Sequence, residues 1–125
     1  KEKLKGLKAV LTIKNYLGGY YFFTSDEVRI DKQNIYLIEG KHTRTNDIPS
    51  LGDIKDGLLK MILFTNLEDV KIADKNYNSM PILKLTTGKG FNLEYLSQPQ
   101  KDTLKLLKKE AEINSFRILV NKTYL

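Results

Sequence analysis

A chain of 125 residues, 41% hydrophobic and 29% charged, has the size of one domain with its own core, which excludes a disordered tail. It holds no cysteine and one histidine, His42, which removes disulfide scaffolds, thiolate metal centres, cysteine nucleophiles and multi-histidine zinc sites together. Its 21 basic residues against 15 acidic ones leave a net charge of +6, an excess that favours an anionic partner, either nucleic acid or an anionic surface.

Cysteine-free composition fits a reducing compartment, so a cytoplasmic location is the expectation. The longest mainly apolar stretch, Leu58–Phe64, is interrupted by Lys60 and is far too short for a bilayer, so no membrane partner is expected. No apolar run follows the basic start, which argues against a secretory signal. A start at Lys1 and not at methionine suits a fragment or a processed product. No repeat or linker divides the chain, so residues 1–125 read as a single domain. The charge gathers at the ends: five lysines stand against Glu2 in residues 1–16, and six bases against three acids in residues 100–125.

In chain order, Leu4, Leu7, Val10 and Leu11 recur at helical spacing before Gly18-Gly19, so a first helix is expected. The aromatic run Tyr20–Thr24 reads as a strand. Asp26–Asp31 and Asn34–Lys41 read as two more strands, joined by the polar turn Asp31-Lys32-Gln33-Asn34. Ser50-Leu51-Gly52-Asp53 has the form of a capping box. The helix after it should run to about Asn66 with Ile54, Leu58, Met61, Ile62 and Thr65 on its apolar stripe. Pro81–Thr87 is a strand, and Phe91–Leu96 is expected to pair with it across Gly88-Lys89-Gly90. Ser97 opens a last helix carrying Leu104, Leu107 and Ala111, and Arg117–Val120 is a short final strand. The expected class is a mixed α/β fold of α+β character: helix, three-strand meander, helix, strand, with a C-terminal helix.

The informative segment is Asp26–Lys41. If its turn closes with Asp31 opposite Asn34, paired residue numbers sum to 65. Ile30 then faces Ile35, Val28 faces Leu37 and Asp26 faces Glu39. Directly opposite residues share a sheet face, and so do residues two apart. One face therefore carries Asp26, Val28, Ile30, Ile35, Leu37, Glu39 and Lys41: an apolar middle that ends in two carboxylates and a lysine. A slip of one residue would separate the two acids, so their convergence depends on that turn.

Two adjacent carboxylates repel, and a hard divalent cation suits them. Mg²⁺ takes oxygen ligands and commonly uses one or two carboxylates, with water and substrate phosphate completing the shell. Such an ion polarises a phosphodiester and lowers the pKa of bound water. Lys41 would orient that water or stabilise charge on the phosphate.

Asp26 followed by Glu39-Gly40-Lys41 resembles the Asp…Glu-x-Lys signature of the PD-(D/E)xK nuclease superfamily, and the expected element order over residues 1–87 resembles its restriction-endonuclease-like core. The run Ile38–Thr43, followed by a polar loop and a lysine-bearing helix, is most similar to type II restriction endonucleases. The resemblance implies an Mg²⁺-dependent endonuclease acting on DNA. It makes Asp26 and Glu39 the metal-binding acids, the Gly40 carbonyl a further ligand and Lys41 the catalytic lysine. It also implies a homodimer or a part of a larger protein. Ser25 departs from the pattern, standing where proline often precedes the aspartate.

Other readings compete. The alternative is that Asp26, Glu39 and Lys41 form only a salt-bridge cluster at a hairpin end, in a non-catalytic basic nucleic-acid-binding module. Asp31 is the alternative acid, but it faces away and suits turn chemistry. His42, on the opposite face, is a candidate DNA contact or a plain strand end. Arg44, in the polar loop Thr43–Asn46, is a candidate phosphate contact. Lys55 is a candidate DNA contact, although exposed helix faces commonly carry lysines, as with Lys60 and with Lys105, Lys108 and Lys109. Tyr20–Phe23 would stack on bases or alternate in a sheet. Gly88-Lys89-Gly90 is not a phosphate-binding loop, because Leu83 stands where that motif needs glycine.

Overall fold

The structure, a computed structural model, describes residues 2–4, 9–14, 20–67, 70–72 and 75–125, with side chains from Ser25 onward except at 71–72. Among these, the strands are β1 (Glu2–Leu4), β2 (Ala9–Lys14), β3 (Tyr20–Ser25), β4 (Glu27–Asp31), β5 (Asn34–His42), β6 (Lys71–Ile72), β7 (Lys75–Asn76), β8 (Asn78–Thr86), β9 (Arg117–Val120) and β10 (Thr123–Tyr124). The helices are α1 (Leu51–Thr65), α2 (Gln98–Asn114) and a short 3₁₀ turn, Leu93–Tyr95. One sheet has the order β1-β4-β5-β8-β9-β10 and a second the order β3-β2-β6-β7. The class is mixed α/β, as expected.

The β4–β5 register is the one read from the turn. Asp31 pairs with Asn34, and the pairing runs through Ile30 with Ile35 and Val28 with Leu37 to Glu27 with Ile38. Lys32 takes φ 59 at the turn. β5 then pairs with β8 in parallel, Glu39 beside Leu83 and Lys41 beside Leu85, and β8 pairs with β9 in parallel. Each parallel step needs a crossover, and α1 and α2 supply the two. Pro81 is tolerated in β8 because pairing with β9 begins only at Ile82.

The expected first helix is not formed. Glu2–Leu4 pairs with β4, and Ala9–Lys14 pairs along its whole length with β3. Val10, Thr12 and Ile13 are β-branched and suit a strand, and six ladder pairs outweigh a helical recurrence of leucines. Gly18-Gly19, the expected stop, lies outside the described residues, as do the side chains of Tyr20–Phe23. The three-strand meander is corrected too. β3 leads into β4 through a bend at Asp26, but it pairs with β2 in the other sheet, so only the β4–β5 hairpin remains of it. The expected strand Phe91–Leu96 is instead a turn and the 3₁₀ segment, with the Phe91 N–H donating to the Gly88 carbonyl.

The core lies between the large sheet and the two helices. Val28, Ile35, Leu37, Leu83, Leu85, Ile118 and Val120 come from the strands, Ile54, Met61 and Phe64 from α1, and Leu104, Leu107 and Ala111 from α2. Each such large apolar side chain stabilises the fold by roughly 1.5–3 kcal/mol. On α1 the stripe is rotated from the expected one: Gly57 and Phe64 are buried, and Ile62 is exposed. The cause is Gly57, where a Cβ would stand 2.5 Å from Leu83 Cδ1. The missing side chain lets the helix sit down on β8. Ser50 caps α1, its hydroxyl accepting the Asp53 N–H at 3.2 Å, and Ser97 with Gln100 forms a full capping box on α2. Ser115, at φ 60, ends α2 in the left-handed conformation.

Candidate active site

Asp26 stands at the bend one residue beyond the last β4–β5 pair. The bend is held by Ser25, which is fully buried and whose hydroxyl donates to the carbonyls of Glu27 at 3.0 Å and Ile38 at 3.1 Å. A serine in place of proline therefore ties β3 and β4 to β5 at the base of the site. Asp26 Oδ2 accepts the Gly40 N–H at 3.2 Å. Just past the end of β5, Thr43 donates its N–H to the carbonyl of Thr86, the last residue of β8, so the backbone groups of odd residues of β5 lie toward β8 and those of even residues toward β4. The Gly40 carbonyl accordingly lies on the Asp26 side of the strand.

Glu39, the neighbour of Gly40, directs its side chain to the helix-covered face, where its carboxyl group shares a hydrogen bond with Asp26. Burial raises the Glu39 pKa most, and the Asp26 charge and that hydrogen bond raise it further. Two ammonium groups act the other way, Lys60 first and Lys41 second. Lys41 Nζ lies 3.8 Å from Glu39 Oε2. The two acids and the lysine singled out from the register are therefore brought together.

Lys60 is the residue that sequence reasoning missed. It is half-buried on α1, with its Nζ 5.6 Å from the Phe64 ring centroid. Gly57, one turn earlier, rests on Leu83, the strand neighbour of Glu39, so the helix passes close over the acid pair. The signal in the sequence was the glycine inside an otherwise regular helix.

The remaining candidates are spread out. His42 faces away from the acids, and its Nδ1 shares a 2.7 Å hydrogen bond with Thr86 Oγ1. Arg44 is exposed in the loop after β5. Lys55 borders a groove between α1 and α2, beside Leu106 and Glu110, and so lies on the α2 side of the helix and not over Glu39. Asp31 pairs with Asn34 at the far end of the hairpin.

The donor set fits a hard divalent cation of the Mg²⁺ kind. It offers two carboxylates in contact and a backbone carbonyl on the Asp26 side of the strand. Among the described residues no group of three or more histidine or acidic side chains forms a cage, so water and phosphate oxygens would complete the shell. On the opposite face, Glu27 holds Arg29 at 2.9 Å and Lys84 at 3.6 Å in a separate ion-pair cluster.

No protein-family model, curated protein or solved structure matches the chain. Among the described residues no helix is long and apolar enough to cross a membrane.

Proposed function

We infer that the protein is an Mg²⁺-dependent endodeoxyribonuclease of the restriction type, hydrolysing DNA phosphodiester bonds. The observation that carries this reading is the contact between the Asp26 and Glu39 carboxyl groups with the Lys41 ammonium beside them. The unit β4–β5–α1–β8 is the part that would correspond to a restriction-endonuclease-like core. The choice of DNA rests on the family resemblance, together with a net charge of +6 that favours a polyanion.

Asp26, Glu39 and the Gly40 carbonyl would hold the ion. When bound, Mg²⁺ supplies Lewis-acid polarisation of the phosphate and a water of lowered pKa. Asp26 has a second task, because its oxygen accepts the Gly40 N–H and so anchors the residue whose carbonyl would be the further ligand. Lys41 is close enough to Glu39 to be held by it and keeps donors free for a phosphate oxygen or for the attacking water. Lys60 adds a second positive charge above the pair, which keeps Glu39 closer to its ionised, metal-binding form.

Plasmid cleavage with Mg²⁺ and with chelator tests the reading. Asp26→Asn and Glu39→Gln should each abolish Mg²⁺-dependent cleavage while the fold persists. Salt-sensitive DNA binding without metal effect or product would point instead to a binding module in which the cluster only braces the end of the hairpin.

A further inference from the structure

The parallel strands β5 and β8 end side by side, at His42 and Thr86, and both chains leave the sheet into loops that are joined to each other. The Thr43 N–H donates to Thr86 O at 3.0 Å, and the Gly88 N–H donates to Thr45 O at 2.7 Å. The Gly90 N–H donates to Asn46 Oδ1 at 3.1 Å. At Gly88 the contact is close enough to require glycine, because it is made with backbone, whereas Gly90 packs on the side chain of Asn46. A Cβ on Gly88 would stand 2.5 Å from the Arg44 carbonyl oxygen and 2.8 Å from that of Thr45, and a Cβ on Gly90 would stand 2.6 Å from Asn46 Nδ2. Inside the first loop, Thr43 Oγ1 accepts the Thr45 N–H at 3.4 Å and Thr45 Oγ1 accepts the Asp47 N–H at 3.3 Å. The two loops therefore have one fixed shape, set by hydrogen bonds and close packing.

This joined unit presents two exposed cations, Arg44 from one loop and Lys89 from the tip of the other, against the single carboxylate of Asp47. Arg44 is five residues beyond Glu39, so its Cα lies within about 17 Å of the Glu39 Cα at full extension. That is about five steps of a nucleic-acid strand at 3.4 Å each. The carboxyl ends of adjacent parallel strands are also where open α/β sheets commonly receive ligands.

We propose that loops 43–47 and 88–91 form a preset clamp on the phosphodiester backbone of DNA, with Arg44 and Lys89 as its two phosphate contacts. Lys89 then has a binding task, and the flanking glycines serve the joint between the loops. The identity of the polymer rests on the nuclease reading. The clamp itself rests on the loop geometry.

The test is binding of a short duplex in chelator, where no cleavage is needed, followed over a salt series. Arg44→Ala and Lys89→Ala should each lower the slope of log K against log salt by about 0.9, and Arg44→Lys should keep it. Lys109→Ala, which removes the same charge from an exposed position on α2, should leave the slope unchanged. Asn46→Ala keeps every charge but unties Gly90, and should weaken binding roughly 2- to 10-fold with the slope retained, through the added cost of ordering the loops. Unchanged slopes for both alanine variants, in a protein that still binds and cleaves duplex, would overturn the clamp and leave the nuclease reading standing. Failure of the unaltered protein to bind duplex at any salt would overturn both.

Discussion

The carboxyl groups of Asp26 and Glu39 meet beyond the last pair of the β4–β5 hairpin and share a hydrogen bond. Burial first, then the charge of Asp26 and that bond, push the Glu39 pKa above the ordinary glutamate value. The folded state therefore binds its proton more tightly than the unfolded chain does. The stability contributed by this group is fully present below the unfolded pKa and is lost as pH rises through the folded one. Asp26→Asn removes the like charge, so Glu39 should titrate at lower pH and this part of the pH dependence should flatten. Carbon-detected NMR titration of the Glu39 carboxyl, with melting temperature followed against pH, measures both. An unchanged Glu39 titration would mean that the two groups are not in contact.

Lys60 and Lys41 lower the same pKa, and Lys60 has the greater influence. Lys60→Met keeps the apolar stem against Phe64 and removes only the charge. Glu39 should then titrate at higher pH than in the unaltered protein, and the rise should exceed that in Lys41→Met. A larger effect from Lys41→Met would place the Lys60 ammonium away from the site.

Gly57 and Gly52 make a matched pair on one helix. At Gly57 a methyl group would press on Leu83, which is fully buried, whereas at Gly52 its nearest neighbour would be Ser50 Oγ at 4.0 Å. Overpacking costs about 1–3 kcal/mol, and replacing a helical glycine with alanine returns up to about 1 kcal/mol. Gly57→Ala should therefore destabilise the fold by on the order of 1 kcal/mol net, and Gly52→Ala should leave it unchanged or raise it slightly. Urea unfolding of the two variants reads the difference directly. Gly57→Ala should also move the Glu39 titration, because α1 must lift from the row that contains Glu39 and Leu83.

The parts of this fold that were legible in the sequence are those governed by local rules. The turn Asp31–Asn34 fixed the register that brings Asp26 to Glu39, because period-two alternation leaves one pairing that buries Val28, Ile35 and Leu37 together. The caps Ser50 and Ser97 marked both helix starts. What sequence could not supply were partners distant in the chain. Ala9–Lys14 is a strand because β3 pairs with it, and that pairing overrode the spacing of Leu4, Leu7, Val10 and Leu11. Gly88-Lys89-Gly90 looked like a hairpin turn, but its glycines answer to the carbonyls of Arg44 and Thr45 and to the side chain of Asn46. Lys60 looked like any helix-surface lysine until Gly57 fixed which side of α1 lies on the sheet.

Ser25 joins the fold to the candidate site and gives the sharpest separation of the two. Its hydroxyl donates to Glu27 O and Ile38 O, and Asp26 follows immediately. Ser25→Ala removes this donor from a fully buried position while the Ile38 carbonyl keeps its ladder partner Glu27, so the cost is about 0.5–1.5 kcal/mol. The loss should also free the bend, so that Asp26 no longer holds the Gly40 N–H and the Glu39 titration drifts toward that of the Asp26→Asn variant. Ser25→Thr keeps the hydroxyl and should retain the Glu39 titration even where the extra methyl lowers stability. Equal Glu39 titrations in Ser25→Ala and the unaltered protein, alongside a measurable loss of stability, would confine Ser25 to holding the strands and remove it from positioning Asp26.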